Sequence, residues 1–311
     1  MSAFLNSISS VLIILLMTAA GYIFGIKKWM LAQHKPFLEK FLTYFAIPCM
    51  SINGFISNLT PEILKGSWKI ILVSFIGSIV CSVISVLIVY LLRLPKNRAG
   101  VFVAMGAFSN ALFVGYPMCK ELFGEESILY VMLFFLSCSI MIFLVSYAAF
   151  AWFSETGEKF SRKNVLRIFI NPPIVSAVVA ILLVVFDIPL PRPLSGLIGY
   201  VSNTVSPLAL FYCGFIIYEC GIRNIRMDRG MAAMPVMRFI ISPLVCVVLC
   251  RAFNITPPAS SVMIVEMAMP VMTIVVVMAK EWNADVQYAA VGIVLSTLLC
   301  FVTIPVLMLF L

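Results

Sequence analysis

Three groups of residues in this chain could do chemistry, and all of them sit in apolar surroundings. Glu266 lies in the run Ile264-Val-Glu266-Met-Ala-Met-Pro270. A carboxylate at membrane depth is costly, because hydrocarbon leaves its charge unsolvated, and it marks a functional candidate. Ionised, it is a hard oxygen ligand suited to Na⁺; protonated, it could carry a coupling proton. Ser109-Asn110 interrupts a second run, Ala104-Met-Gly-Ala-Phe-Ser109-Asn110-Ala-Leu-Phe-Val-Gly115-Tyr-Pro117. Gly106, Gly115 and Pro117 bracket that pair, so helix continuity is doubtful there. Pro270 is the third feature, since proline removes one helical hydrogen bond. Backbone groups opened at such breaks cannot be satisfied by lipid, so a break survives only inside protein or beside a watery cavity.

The spacing of these features is regular. Aligning Lys120-Glu121 with Lys280-Glu281 places Asn110 on Pro270, an offset of 160 residues. Pro48 and Pro207 interrupt two further apolar runs at an offset of 159. Paired breaks in the two halves of a membrane chain point to a binding site at the repeat interface. The candidate solute contacts are therefore Ser109, Asn110, Pro270 and Thr273, with Pro48, Asn203 and Pro207 from the second pair of breaks. The candidate ion contacts are Glu266, Ser109, Asn110, Met267 and Met269, with Na⁺ at Glu266 as the candidate metal. Two plainer readings stand beside these. Ser109-Asn110 could bond across a helix interface, as polar pairs in bundles do. Glu266 could form a structural pair with Arg238, the only basic residue placed well inside a span.

The elements that must hold these residues are membrane helices. The chain has 311 residues, 63% hydrophobic and 11% charged. That charge fraction is about half of what soluble domains carry. Apolar runs of spanning length occur at 4–26, 37–57, 68–92, 99–122, 126–153, 165–186, 195–219, 231–253, 259–280 and 286–311. The expectation is an all-α polytopic membrane protein of ten transmembrane helices, with residues 1–155 forming one five-helix repeat and 156–311 the second. An odd number of spans per repeat inverts the second copy, giving a 5+5 inverted repeat. The first span lacks a basic leader and a small-residue cleavage site, and reads as retained.

The net charge of +8 resides mainly in short loops. It reads as a topology signal, and nucleic acid is not an expected partner. With the N-terminus outside, fifteen of the 21 basic residues fall in cytoplasmic loops and five in outer ones. Both termini are therefore expected outside. The nine cysteines lie mostly within spans, with no C-x-x-C, and read as packing residues. Gly21-x-x-x-Gly25 reads as a close helix contact. The chain has no H-E-x-x-H, G-x-S-x-G, P-loop or G-x-G-x-x-G, so an enzyme or a directly ATP-driven pump is not expected.

Ser109-Asn110-x-x-x-x-Gly115-x-Pro117, Asn171-Pro172-Pro173-Ile174 and Ala268-Met269-Pro270, in that order, resemble the auxin efflux carrier family over nearly the whole chain. The resemblance implies the fold of bile acid:sodium symporters, in which broken helices 4 and 9 cross. By matching order, helices 1, 2, 6 and 7 would form a scaffold, and helices 3, 4, 5, 8, 9 and 10 a mobile core. It implies a secondary transporter of a small organic anion, expected to be a carboxylate, working by elevator-type alternating access in the plasma (bacterial inner) membrane. Glu266 with Ser109 and Asn110 looks like the sodium pattern of the symporter branch, whereas plant carriers are thought not to need sodium. No resident cofactor is implied beyond Na⁺ as a coupling ion. Partners are the solute and the lipid bilayer, with a homodimer among the arrangements left open. Helix N-termini at the crossing would favour an anion, although no buried Lys or Arg supplies a counter-charge there by sequence. An ion channel or a membrane sensor on the same scaffold is the competing expectation.

Overall fold

The structure, a computed structural model, describes residues 2–59, 61–154, 170–221 and 227–311. The chain forms helices α1 Ser2–Ile26, α2 Lys35–Phe41, α3 Ile47–Asn58, α4 Pro61–Leu92, α5 Lys96–Ala107, α6 Tyr116–Phe123, α7 Ser127–Met141 and α8 Tyr147–Phe153. It continues with α9 Pro172–Val185, α10 Arg192–Ser202, α11 Val205–Cys220, α12 Arg229–Val236, α13 Ser242–Ala252, α14 Ala259–Met267, α15 Ile274–Glu281 and α16 Val286–Leu307. Among the described residues, six helical stretches are long and apolar enough to cross a membrane, including Gly66–Leu92, Ser127–Phe153 and Arg229–Ala252. This is a polytopic helical membrane protein. The start of the 165–186 run, and the loop cations Lys159, Arg162, Lys163, Arg167, Arg223 and Arg226, lie outside the described residues.

Proline sets three of the local irregularities. Three helices widen into a π-turn that ends two residues before a proline: Leu42–Ala46 before Pro48, Ala111–Gly115 before Pro117 and Met237–Ile241 before Pro243. A proline cannot donate to the carbonyl four residues back, and its ring crowds that carbonyl. The residue before it reaches one carbonyl further instead: Ile47 N to Leu42 O, Tyr116 N to Ala111 O, Ser242 N to Met237 O. Pro48 thus reshapes its helix without stopping it. Pro207 lies in the first turn of α11, where a missing N–H costs little, and the true interruption there is Asn203-Thr204 between α10 and α11.

The solvent-facing logic of a soluble protein is reversed. Leu16, Leu87, Leu91, Val248, Val302 and Phe310 are exposed, as a lipid-facing belt requires. Polar side chains are turned inward. Ser74, Ser78, Ser82 and Ser85 line one face of α4, and each hydroxyl donates to a carbonyl four residues back. Self-satisfied and small, these serines let α4 lie close to α5 and α7.

Helix packing forms two groups. In one, α9 and α10 pack on α3, and α1 packs on α11. The α1–α11 contact needs glycine on both sides: a Cβ at Gly21 would strike the Phe211 carbonyl, and one at Gly214 the Thr18 carbonyl. In the other, α4 packs on α5, α7 and α13, and α14 packs on α7 and α13. A polar tie closes one end of this second group. Arg98 at the start of α5 donates to Asp228 and Asp285, at 2.7 Å each. These two carboxylates also accept from Met231 N and Tyr288 N, capping α12 and α16.

Candidate functional site

The two interruptions anticipated at Ser109-Asn110 and Pro270 face each other. Helix α5 ends at Ala107, and Phe108 is extended (φ −118°, ψ 130°). Helix α14 ends at Met267. The opened strands pair antiparallel at Ser109 and Val271, and Asn110 N donates to Pro270 O at 2.8 Å. Val271 N donates to the Ser296 hydroxyl of α16 at 3.0 Å. The breaks thus satisfy part of each other's freed backbone, the condition for non-helical chain at membrane depth.

Helical structure restarts on the far side of each break. Asn110 caps the first restart, its Oδ1 accepting from Phe113 N at 3.3 Å. Thr273 occupies the cap position of α15. Both caps line one cavity of about 240 Å³. Its wall includes Lys35, Thr43 and Ile47 from the α2–α3 helix, Asn171, Tyr212 of α11, and Phe135, Ser139 and Phe143 on α7 and its continuation. Lys35 Nζ sits 2.6 Å from Glu219 Oε2, and the Tyr212 hydroxyl donates to Glu39 at 3.4 Å. The cavity therefore lies between the two packing groups, apolar in its body, with the Lys35 cation, the Glu39 carboxylate and several hydroxyl and amide groups on its wall.

The carbonyl ends of the broken helices meet a different partner. Arg238, fully buried, stands on the π-turn preceding Pro243. Its Nε donates to Met269 O at 2.7 Å, Nη1 to Gly106 O at 3.0 Å and Nη2 to Met267 O at 2.8 Å. The Ser242 hydroxyl adds a bond to Gly106 O at 3.3 Å. The Glu266–Arg238 pairing that the sequence allowed is not formed among the described ion pairs; the guanidinium is spent on backbone carbonyls instead. Glu266, 0% exposed, turns toward α6. Its Oε1 accepts from the Cys119 thiol at 3.4 Å, and Oε2 has no partner. Gly115 makes the room: a Cβ there would collide with the carboxylate.

Of the expected solute contacts, Asn110 and Thr273 line the cavity. Ser109 and Pro270 are buried in the crossing behind them, and the Ser109 hydroxyl has no partner. Pro48 is half-buried, while Asn203 and Pro207 are exposed, and these three are not among the lining residues. Met267 and Met269 offer carbonyls that Arg238 already uses. Lys35, Ser139 and Tyr212 escaped sequence reasoning, and Asn171 was visible only as part of a motif. Lys35 looked like an ordinary loop cation, and only the fold of α2 against α11 brings it to the wall.

A family described as membrane transport protein matches residues 6–308 of the chain. The chain belongs to the auxin efflux carrier family. This carrier is 24% identical over 294 residues to an uncharacterized transporter of Methanocaldococcus jannaschii, covering 92% of this chain and 93% of that one. It is 22% identical over 307 residues to an uncharacterized transporter of Methanothermobacter thermautotrophicus, covering 97% of each. It is also similar to the lysosomal cholesterol signaling protein of Mus musculus, at 23% identity over 309 residues, which is 92% of the carrier but 35% of the mouse protein. The carrier is an integral membrane transporter, and its family is not enzymatic.

Proposed function

We propose that the carrier moves a small organic anion, a carboxylate by chemistry, by elevator-type alternating access. The observation that carries this reading is the convergence of two helix starts and one cation on a single cavity: the caps Asn110 and Thr273, with Lys35 also on its wall. Each helix start presents unpaired N–H groups and a partial positive charge, which favour an anion. Asn110 and Thr273 then orient the anionic group, while Ile47, Phe113, Phe135 and Phe143 hold its apolar remainder.

The scaffold is α1–α3 with α9–α11, and the core is α4–α8 with α12–α16. Their separate packing supports this division, and so does the cavity at the seam. In this reading ten spans form a 5+5 inverted repeat, with repeats at 1–155 and 156–311. The termini lie outside, and the Lys35 mouth of the cavity faces the cytoplasm. Core movement would carry the crossing and its solute past the scaffold. Glu266 is the coupling carboxyl, for H⁺ or Na⁺, because it is buried, incompletely bonded and one turn from the crossing.

A panel of carboxylates, amino acids and neutral solutes tests this by ligand-induced stabilisation followed by flux in proteoliposomes. A carboxylate should raise the melting temperature by mass action and be transported, and Asn110→Ala should weaken both. No stabilisation and no flux from any solute sinks the reading, and channel-scale current in a planar bilayer replaces it with the channel alternative. Flux of wild type and Glu266→Gln across pH and Na⁺ then reads the coupling: identical responses remove Glu266 from it.

A further inference from the structure

The last carbonyls of two broken helices form a cluster of acceptors carrying the negative ends of two helix dipoles. Such unwound carbonyls and half-helix C-termini are where secondary transporters coordinate a coupling cation. Here Gly106 O lies in the last turn of α5, and Met267 O and Met269 O lie at the end of α14 and in its break. All three accept from Arg238, each from a different nitrogen. A guanidinium carries its donors in a rigid planar fork and holds its charge permanently, so it suits a fixed set of acceptors better than a hydrated point charge does.

The geometry behind Arg238 keeps it there. Pro243 widens the preceding turn, and Ser242, the next polar residue, bonds the same Gly106 carbonyl. The Cys81 thiol of α4 in turn donates to the Ser242 hydroxyl at 3.6 Å. Among the described residues no carboxylate lies within ion-pair distance of Arg238, and its recorded hydrogen bonds go to backbone carbonyls. Glu266 belongs to a separate set, facing Cys119 and Gly115 of the α6 side. Two of the donors expected for Na⁺, the Met267 and Met269 carbonyls, thus already answer a fixed positive charge, which opposes a second cation at the same oxygens; Glu266 Oε2 and the Ser109 hydroxyl are the expected donors left without a partner.

We infer that Arg238 is a built-in cation occupying the place of a coupling Na⁺, and that the carrier folds its crossing, binds solute and turns over without Na⁺. This rests on the transporter reading, but its first test needs no transport. Purified carrier is melted in sodium, potassium and choline chloride at equal ionic strength. The expected result is one melting temperature in all three. A saturable rise specific to Na⁺ overturns the inference.

Arg238→Ala should melt about 10 °C lower, since several buried carbonyls lose their donor at once. Low-millimolar guanidinium or Na⁺ should restore part of the loss, and choline, too bulky for the gap, none. A folded Arg238→Ala that no small cation restores overturns the cation role. Should that variant fail to fold, Arg238→Lys keeps the charge and loses the fork, and should melt between the two without responding to Na⁺; a Na⁺-specific rise in that variant counts against the inference. Flux is read separately. Solute movement in Na⁺-free medium is expected, and flux that requires Na⁺ overturns the inference. Absence of flux in every salt counts against the transporter reading and leaves the Arg238 assignment to the melting data.

Discussion

The crossing has two faces, and they treat the same two broken helices in opposite ways. On one face the helices end, their carbonyls gather, and a buried arginine closes them with three bonds. On the other the helices restart, their caps Asn110 and Thr273 open onto a cavity, and among the described residues the one basic side chain on the wall, Lys35, is shared with Glu219. One face is filled by the protein's own cation; the other offers positive helix ends to something from outside. The difference shows how a single interruption can be both a structural joint and a binding surface. The backbone polarity is split by direction, and the sequence supplies a partner for only one sign.

Four substitutions press on that contrast, in descending order of effect on stability. Arg238→Met should cost about 3–5 kcal/mol, because three buried carbonyls lose a charged donor at about 1–3 kcal/mol each, read by chemical or thermal unfolding in detergent. A loss below about 1 kcal/mol would mean that the arginine face is not the joint.

Gly115→Ala should cost about 1–3 kcal/mol, because its Cβ meets the Glu266 carboxylate and forces a shift in a filled interior. Glu266→Ala vacates that space. In a double-mutant cycle the pair should be strongly non-additive, with Gly115→Ala nearly harmless in the Glu266→Ala background. Additive losses would place the strain elsewhere.

Asn110→Ala belongs to the cavity face. It should cost about 1 kcal/mol of stability through the lost cap, while solute affinity falls by tenfold or more. Equal melting and unchanged affinity would move the binding surface away from the crossing.

Lys35→Gln is the mildest for folding. A partly exposed ion pair contributes about 0–1 kcal/mol, so the melting temperature should hardly move. Affinity for an anionic solute should fall about tenfold, equivalent to about 1.4 kcal/mol, and affinity for a neutral analogue should stay. Equal loss for both would show that Lys35 shapes the wall and does not read charge.

Much of the frame was legible in residues alone. Apolar runs marked the helices because a span must satisfy its own backbone. Asn110 and Pro270 marked the breaks because a side-chain amide and a proline in mid-run both work against a continuous helix in lipid. Other placements were not legible. Pro48 looks equivalent to Pro270, yet it only widens its helix, because the π-turn before it absorbs the missing donor. Pro207 sits in a first turn, where no helical bond is lost. Arg238 is visible as a lone basic residue within a span, but opposite charge points to Glu266 as its partner, and the structure pairs it with backbone instead. Sequence shows which charges are buried, and opposite signs invite pairing. Three backbone carbonyls carry no letter in the sequence.

The sequence by itself determined that this is a helical membrane protein, where the two crossing helices break, and which ionisable side chains must lie inside. Those properties follow from composition and from the local chemistry of proline, asparagine and glycine. Only the tertiary structure decided which end of each broken helix faces Arg238 and which faces the cavity, that Glu266 turns to Cys119, and that Lys35 reaches the wall. These depend on contacts between segments far apart in the chain, where the direction of a dipole and the reach of a side chain are fixed by packing.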